Sequence, residues 1–133
     1  MINHAHFMQL LFIGGSMVGA TTFVHALFVS GAGVFLRMAT GRAWGPVRFV
    51  RDALALVALI LWLMIAHAIE IGMWGELFVR LDLLKDIEVA YYYAAVSYTT
   101  LGYGDVVLPP RWGMLGAVAA ANGLILFGMS AAL

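Results

Sequence analysis

Three stretches of this chain carry no Asp, Glu, Lys or Arg: Phe7 to Leu36 (30 residues), Ala53 to Ile69 (17) and Trp112 to Leu133 (22). A helix needs about 20 apolar residues to cross the hydrocarbon core of a bilayer, so the first and third suffice unaided. The second reaches that length through Ile71, Gly72, Met73 and Trp74 beyond Glu70. Buried helices of a soluble bundle are excluded by composition. Of the 133 residues 64% are hydrophobic and 11% charged, whereas soluble domains carry about 25% charge. An all-α membrane protein with three transmembrane helices follows. With no cysteine in the chain, disulfides and thiolate metal sites are ruled out.

The charges are segregated. Arg37, Arg42, Arg48 and Arg51 cluster between the first two apolar runs, while six of the seven acids fall between Glu70 and Asp105. The positive-inside rule places 37–51 in the cytoplasm, the N-terminus and the 75–111 segment outside, and Leu133 inside. A multi-pass protein of the cell membrane is expected, its arginines lying against anionic lipid heads. They are not a voltage sensor, because their spacing is irregular and the stretch is polar. The first run has no Lys or Arg ahead of it, unlike a cleaved signal peptide.

Three parts are expected: an extra N-terminal span (1–37), a basic loop (38–51) and a region 52–133 with an outer helix at 53–74. In the first span Gly15 and Gly19 form a small-xxx-small pair for helix approach. His25, deep in the same span, reads either as a proton relay or as a histidine bonded to Thr21 or Thr22. His4 and His6 have no further metal ligands nearby. Gly41, Gly45 and Pro46 break the helix, with Trp44 at headgroup level. His67 and Glu70, at i and i+3, are close enough to pair, as a structural pair or as a proton sensor. Residues 75–90 read as a mixed-charge outer turret. Ile87 to Tyr98 is too short to span and too apolar for an open loop. Such a segment is tolerated at membrane depth only when buried in protein or lining water, so a re-entrant helix is expected at 87–98.

Directly after it come Thr99, Thr100, Leu101, Gly102, Tyr103, Gly104 and Asp105. This run closely resembles the selectivity filter of potassium channels, usually Thr-Val-Gly-Tyr-Gly. The resemblance spans roughly 52–133, with Trp112 and Gly113 at the start of an inner helix (112–133) and Gly123 and Phe127 at its flexible glycine and later aromatic. It implies the potassium-channel pore fold: outer helix, pore helix 87–98, filter 99–105 and inner helix, assembled as a C4 homotetramer. Thr100, Leu101, Gly102, Tyr103 and Gly104 would form the potassium-binding filter, K+ being held by oxygens of Thr100, Leu101, Gly102 and Tyr103. All the carbonyls must face one axis, which forces alternate residues into left-handed backbone space, open to Gly102 and Gly104 without a Cβ penalty. Thr99 and Asp105 would support the filter, and Tyr93 would donate a hydrogen bond to Asp105. Tyr103 would brace the loop against the pore helix.

Two departures stand out. Val96 occupies the place where some members carry a glutamate facing the aspartate behind the filter, and the span 7–36 is absent from the simplest two-span channels. The arrangement is similar to small bacterial three-span subunits. Ala120, Leu124, Phe127 and Ala131 share a helical face, leaving Gly123, Leu124, Phe127 and Ala131 as cavity or gate candidates. Phe127 reads as a hydrophobic constriction or as packing against a neighbouring subunit. Asn122, on another face, reads as a cavity polar group or, better, as a bond to a neighbouring helix. The implied activity is passive K+ conduction, with no catalysis, no cofactor besides K+ ions and no nucleic-acid partner. A nonselective cation channel and a nonconducting accessory membrane protein remain alternatives. The first span is expected to surround the pore without lining it.

Overall fold

The computed structural model describes residues 4–39 and 46–132. The expected helix break at Gly41 to Gly45, with Arg42 and Trp44, lies outside the described residues, as does Leu133. Among the described residues four α-helices follow one another: α1 (His4–Ala39), α2 (Pro46–Arg80), α3 (Ile87–Tyr98) and α4 (Gly113–Ala131), the last preceded by a 3-10 turn at Pro110–Trp112. α1, α2 and α4 are long and apolar enough to cross a membrane. No strand occurs among the described residues.

α2 runs well past the expected 53–74. It opens at Pro46, whose fixed φ and missing N–H suit a first helical turn, and its 35 residues extend roughly 52 Å. At the other end the apolar stripe continues beneath the charges. Trp74 and Phe78 are fully buried, while Glu76 and Arg80 pair one turn apart on the surface at 2.7 Å. The turret is therefore only the turn 81–86. There Asp82 takes φ 53°, and Asp86 caps α3, its Oδ1 accepting from the amides of Glu88 at 2.8 Å and Val89 at 3.4 Å.

Paired contacts fix the directions. α1 runs parallel to α4: the His6 ring stands edge-on to Trp112, Gly14 faces Val118, and Thr21 Oγ1 lies 2.7 Å from Asn122 Oδ1. α2 runs antiparallel to both. Trp62 Nε1 donates to the Phe28 carbonyl at 2.9 Å, and Trp74 Nε1 donates to Asn122 Oδ1 at 3.1 Å. Asn122 is thus a buried acceptor joining α1, α2 and α4, a bond to neighbouring helices. α3 descends between α2 and α4 from the turn at 81–86, and 99–109 returns the chain to the end from which α3 started.

Small residues set the close approaches, but not the expected pair. Nothing lies within 4 Å of a Cβ placed at Gly15 or Gly19; it is Gly14 that faces α4, with Val118 at 3.3 Å. The tightest approach is between α3 and α4. A Cβ at Gly116 would stand 2.2 Å from the Tyr93 hydroxyl, and one at Gly123 would stand 1.9 Å from the Tyr98 carbonyl oxygen. Gly123 is a packing glycine at the end of α3.

Gly123→Ala places a methyl against backbone that has no flexible end to yield, so it should cost roughly 1–3 kcal/mol. Thermal unfolding in detergent should show a clear fall for this variant and none for Gly15→Ala. Equal melting of the two would refute the contact.

Candidate functional site

The end of α3 generates the loop that follows. Thr99 closes the helix, its amide donating to Ala95 O at 3.0 Å and its hydroxyl to the same oxygen at 2.7 Å. The Thr100 amide donates to Ser97 O at 2.9 Å. The Val96 carbonyl then accepts twice, from Leu101 at 3.0 Å and Gly102 at 3.1 Å. Three of the last carbonyls of α3, which a helix end leaves without intrahelical partners, therefore anchor the first half of the loop.

Beyond this anchor the backbone alternates. Thr100 (φ 61°), Gly102 (φ 59°) and Gly104 (φ 78°) all lie in left-handed space. In an extended chain successive peptide planes face opposite sides, and reversing the hand at every second residue turns them towards one side. Glycine enters this region freely, whereas a threonine there costs about 1–2 kcal/mol. That Thr100 adopts it indicates a conformation enforced by its surroundings. Every residue from Leu101 to Asp105 is exposed, Tyr103 at 68%. The expected brace of Tyr103 against the pore helix is not made within one chain.

Asp105 is held by Tyr92, whose hydroxyl donates to Oδ2 at 2.6 Å. The expected donor, Tyr93, lies one residue and about 100° further round the helix. It stacks edge-on against Phe78 with ring centroids 5.3 Å apart and rests on Gly116. The Tyr92 bond holds the Asp105 carboxyl below the usual carboxylate range and raises the Tyr92 phenol.

Behind the loop, at the other face of α3, is a polar cluster buried among all four helices. Glu70 is fully buried. His25 Nδ1 lies 2.9 Å from its Oε1 and His67 Nδ1 lies 3.0 Å from its Oε2. The Tyr98 hydroxyl donates to Oε2 as well. Ser130 Oγ of α4 stands 3.0 Å from His67 Nε2 and 3.3 Å from His25 Nε2. The expected pairing of His67 with Glu70 is present. His25 reaches Glu70 across the helix interface; the Thr21 hydroxyl points to the Met17 and Val18 carbonyls and Asn122, so it is not the expected partner of His25. His6 bonds the Arg111 carbonyl at 3.0 Å. Sequence spacing could expose only the i, i+3 pair; Tyr98 and Ser130 carried no signal of their own.

Among the gate candidates, Leu124 and Ala131 are exposed and Gly123 is buried. Phe127 packs on its own chain, its ring 4.1 Å from the His67 ring and 5.6 Å from Tyr98, and is 36% exposed.

A protein-family model described as an ion channel matches residues 54–133, more than half of the chain. No curated protein and no solved structure matches it. The match takes in α2 from residue 54 onward, together with α3, the loop of alternating hand and α4, and leaves α1 outside. The chain belongs to the ion channel family.

Proposed function

We propose that this chain is one subunit of a potassium-selective channel, a C4 homotetramer that conducts K+ passively across the cell membrane. The observation that carries the proposal is the left-handed backbone at Thr100, Gly102 and Gly104, set within the run Thr100, Leu101, Gly102, Tyr103, Gly104. Stacked rings of carbonyls can replace the hydration shell of K+ only if several chains contribute them around one axis. α3 is roughly 18 Å long against a hydrocarbon core of about 30 Å. It enters and 99–109 leaves at one end, as a re-entrant pore helix and filter would. The exposed loop side chains, with Leu124 and Ile125 on α4, give neighbouring copies a surface to cover.

In this reading α2 is the outer helix and α4 the inner one. K+ is the cargo, and Thr100, Leu101, Gly102 and Tyr103 supply its oxygens. Gly104 ends the alternation. Thr99 and the Val96 carbonyl hold the inner end of the filter, and Tyr92 with Asp105 holds the outer end. Tyr93 serves the α3–α4 contact. The basic stretch 38–51 faces the cytoplasm, and the N-terminus faces outward.

Purified chain in liposomes should pass K+ well over Na+, read from biionic reversal potentials. Near-equal permeability would favour a nonselective cation channel, and no flux at all a nonconducting accessory protein. Gly102→Ala forces a Cβ into left-handed backbone at about 1–2 kcal/mol per chain and should abolish selective current; unaltered selectivity would remove 99–105 from the filter role.

The Tyr92 bond also makes a pH prediction. A carboxyl held below its ordinary range keeps its bond until the pH falls through that lowered value. In Tyr92→Phe the support is gone and Asp105 protonates at a higher pH. Loss of K+ flux on acidification from the outer side should therefore begin at higher pH than in the wild type. Coincident acid limbs would show that the bond does not support conduction.

A further inference from the structure

The buried cluster behind the filter has a definite proton requirement. Five of its contacts are 3.3 Å or shorter: His25 Nδ1, His67 Nδ1 and the Tyr98 hydroxyl on Glu70, and Ser130 Oγ on each of the two Nε2 atoms. The sixth, Tyr98 hydroxyl to His67 Nδ1 at 3.5 Å, is long and joins two groups that both donate to Glu70. Each of the five needs one proton. An ionised carboxylate brings none, while two neutral imidazoles, a phenol and a hydroxyl bring one apiece. Four protons cannot fill five contacts. Three donors converge on the two Glu70 oxygens, the arrangement suited to a carboxylate that accepts at both, so each imidazole spends its proton at Nδ1. Both Nε2 atoms then face Ser130 with lone pairs, and its hydroxyl can donate to only one of them.

A fifth proton resolves the conflict. One imidazole becomes imidazolium and donates from Nε2 to Ser130 Oγ, while the Ser130 proton goes to the other Nε2. All five contacts are then filled, and the carboxylate and imidazolium cancel. Without that proton the site carries a net negative charge and one empty contact within the spanning helices, where uncompensated charge is costly.

We propose that His25, His67, Glu70, Tyr98 and Ser130 form a binding site for one exchangeable proton per chain, whose occupancy sets how firmly the other helices hold the filter end of α3. The coupling half of this proposal rests on the channel reading; the proton site does not. The proton belongs to the cluster, since rotating the Ser130 hydroxyl passes it between His25 and His67. The groups facing it are His25 from α1, His67 and Glu70 from α2, and Tyr98 from α3. α4 contains no titratable side chain and contributes only Ser130 and the Phe127 ring. Tyr98 transmits the state of the site: its hydroxyl is on Glu70, its carbonyl abuts Gly123, and Thr100 is two residues on. The loaded site clamps that end of α3 and supports conduction. Raising the pH empties the site and loosens the clamp.

The test combines histidine 15N NMR of the full chain in micelles with K+ flux from liposomes, from about pH 5 to about pH 8, where histidine charge normally changes. In the wild type the His25–His67 pair should carry three ring protons at the low end and two at the high end. Flux should fall about tenfold in step with that loss, a coupling within the usual allosteric range. Ser130→Ala removes both Nε2 contacts and leaves only the negative charge of Glu70 to hold the fifth proton. The third ring proton and the fall of flux should both shift together to lower pH than in the wild type, unshifted curves would overturn the site, and size-exclusion chromatography checks the assembly. Should the variant not assemble, the wild-type spectra decide alone. Ring protons unchanged across the range would overturn the site, as would one zinc ion per chain by elemental analysis. A titrating site beside pH-independent flux would overturn the coupling. A titrating site with no K+ flux at any pH would leave the site standing and sink the channel reading.

Discussion

The end of α3 is the point on which the rest of the structure depends. A helix of 12 residues is marginal by itself, so its position is set by what grips it. Asp86 caps its start, and Tyr98 fixes its finish through three parts of one residue. The phenol hydroxyl bonds Glu70 of α2, the ring meets Phe127, and the carbonyl rests on Gly123 of α4. A side chain at position 123 would push that carbonyl away, and a residue without a hydroxyl at position 98 would leave Glu70 with one donor fewer. The loop inherits this placement directly, because its first amides hang from the Val96 and Ser97 carbonyls one turn back.

Val96 shows how backbone can serve where a side chain is missing. In channels that carry a glutamate at this place, a carboxyl group supports the aspartate behind the filter. Here the Val96 side chain is buried, and its carbonyl takes two loop amides. Asp105 gains its partner from Tyr92 instead. The two ends of the loop are thus fastened separately, the one next to α3 by main-chain bonds and the one at Asp105 by a single phenol. Only the fastening at Asp105 contains a carboxyl that acid can protonate.

Much of this was legible in the sequence, and the parts that were not share a cause. The three apolar runs marked the long helices, and a short apolar segment ahead of Thr99 marked the twelve residues of α3. Hydropathy could not show that α2 continues to Arg80, because the signal fades where Glu76 and Arg80 enter, although Trp74 and Phe78 stay buried beneath them. Choosing Tyr92 over Tyr93 needs the rotation of α3 about its axis, which Gly75 and Gly116 set by letting α2 and α4 press close. The same holds for Gly14 over Gly15 and Gly19. His67 and Glu70 were visible as a pair because they share one helix. His25 and Tyr98 come to Glu70, and Ser130 to His67, from three others, and a link between helices leaves no mark on spacing.

That last point bears on why α1 is present at all. The family match begins at residue 54 and so contains Glu70, His67, Tyr98 and Ser130 but not His25. Remove α1, and Glu70 Oε1 loses its donor while Ser130 keeps only one imidazole. A carboxylate would then face lipid with half of its acceptor capacity unfilled, a costly state at membrane depth. Asn122 would likewise lose Thr21. α1 therefore adds a donor to each of two polar sites built on α2 and α4, and it packs against those two helices. α1 thus supplies one of the two imidazoles of the buried cluster although it lies outside the family match.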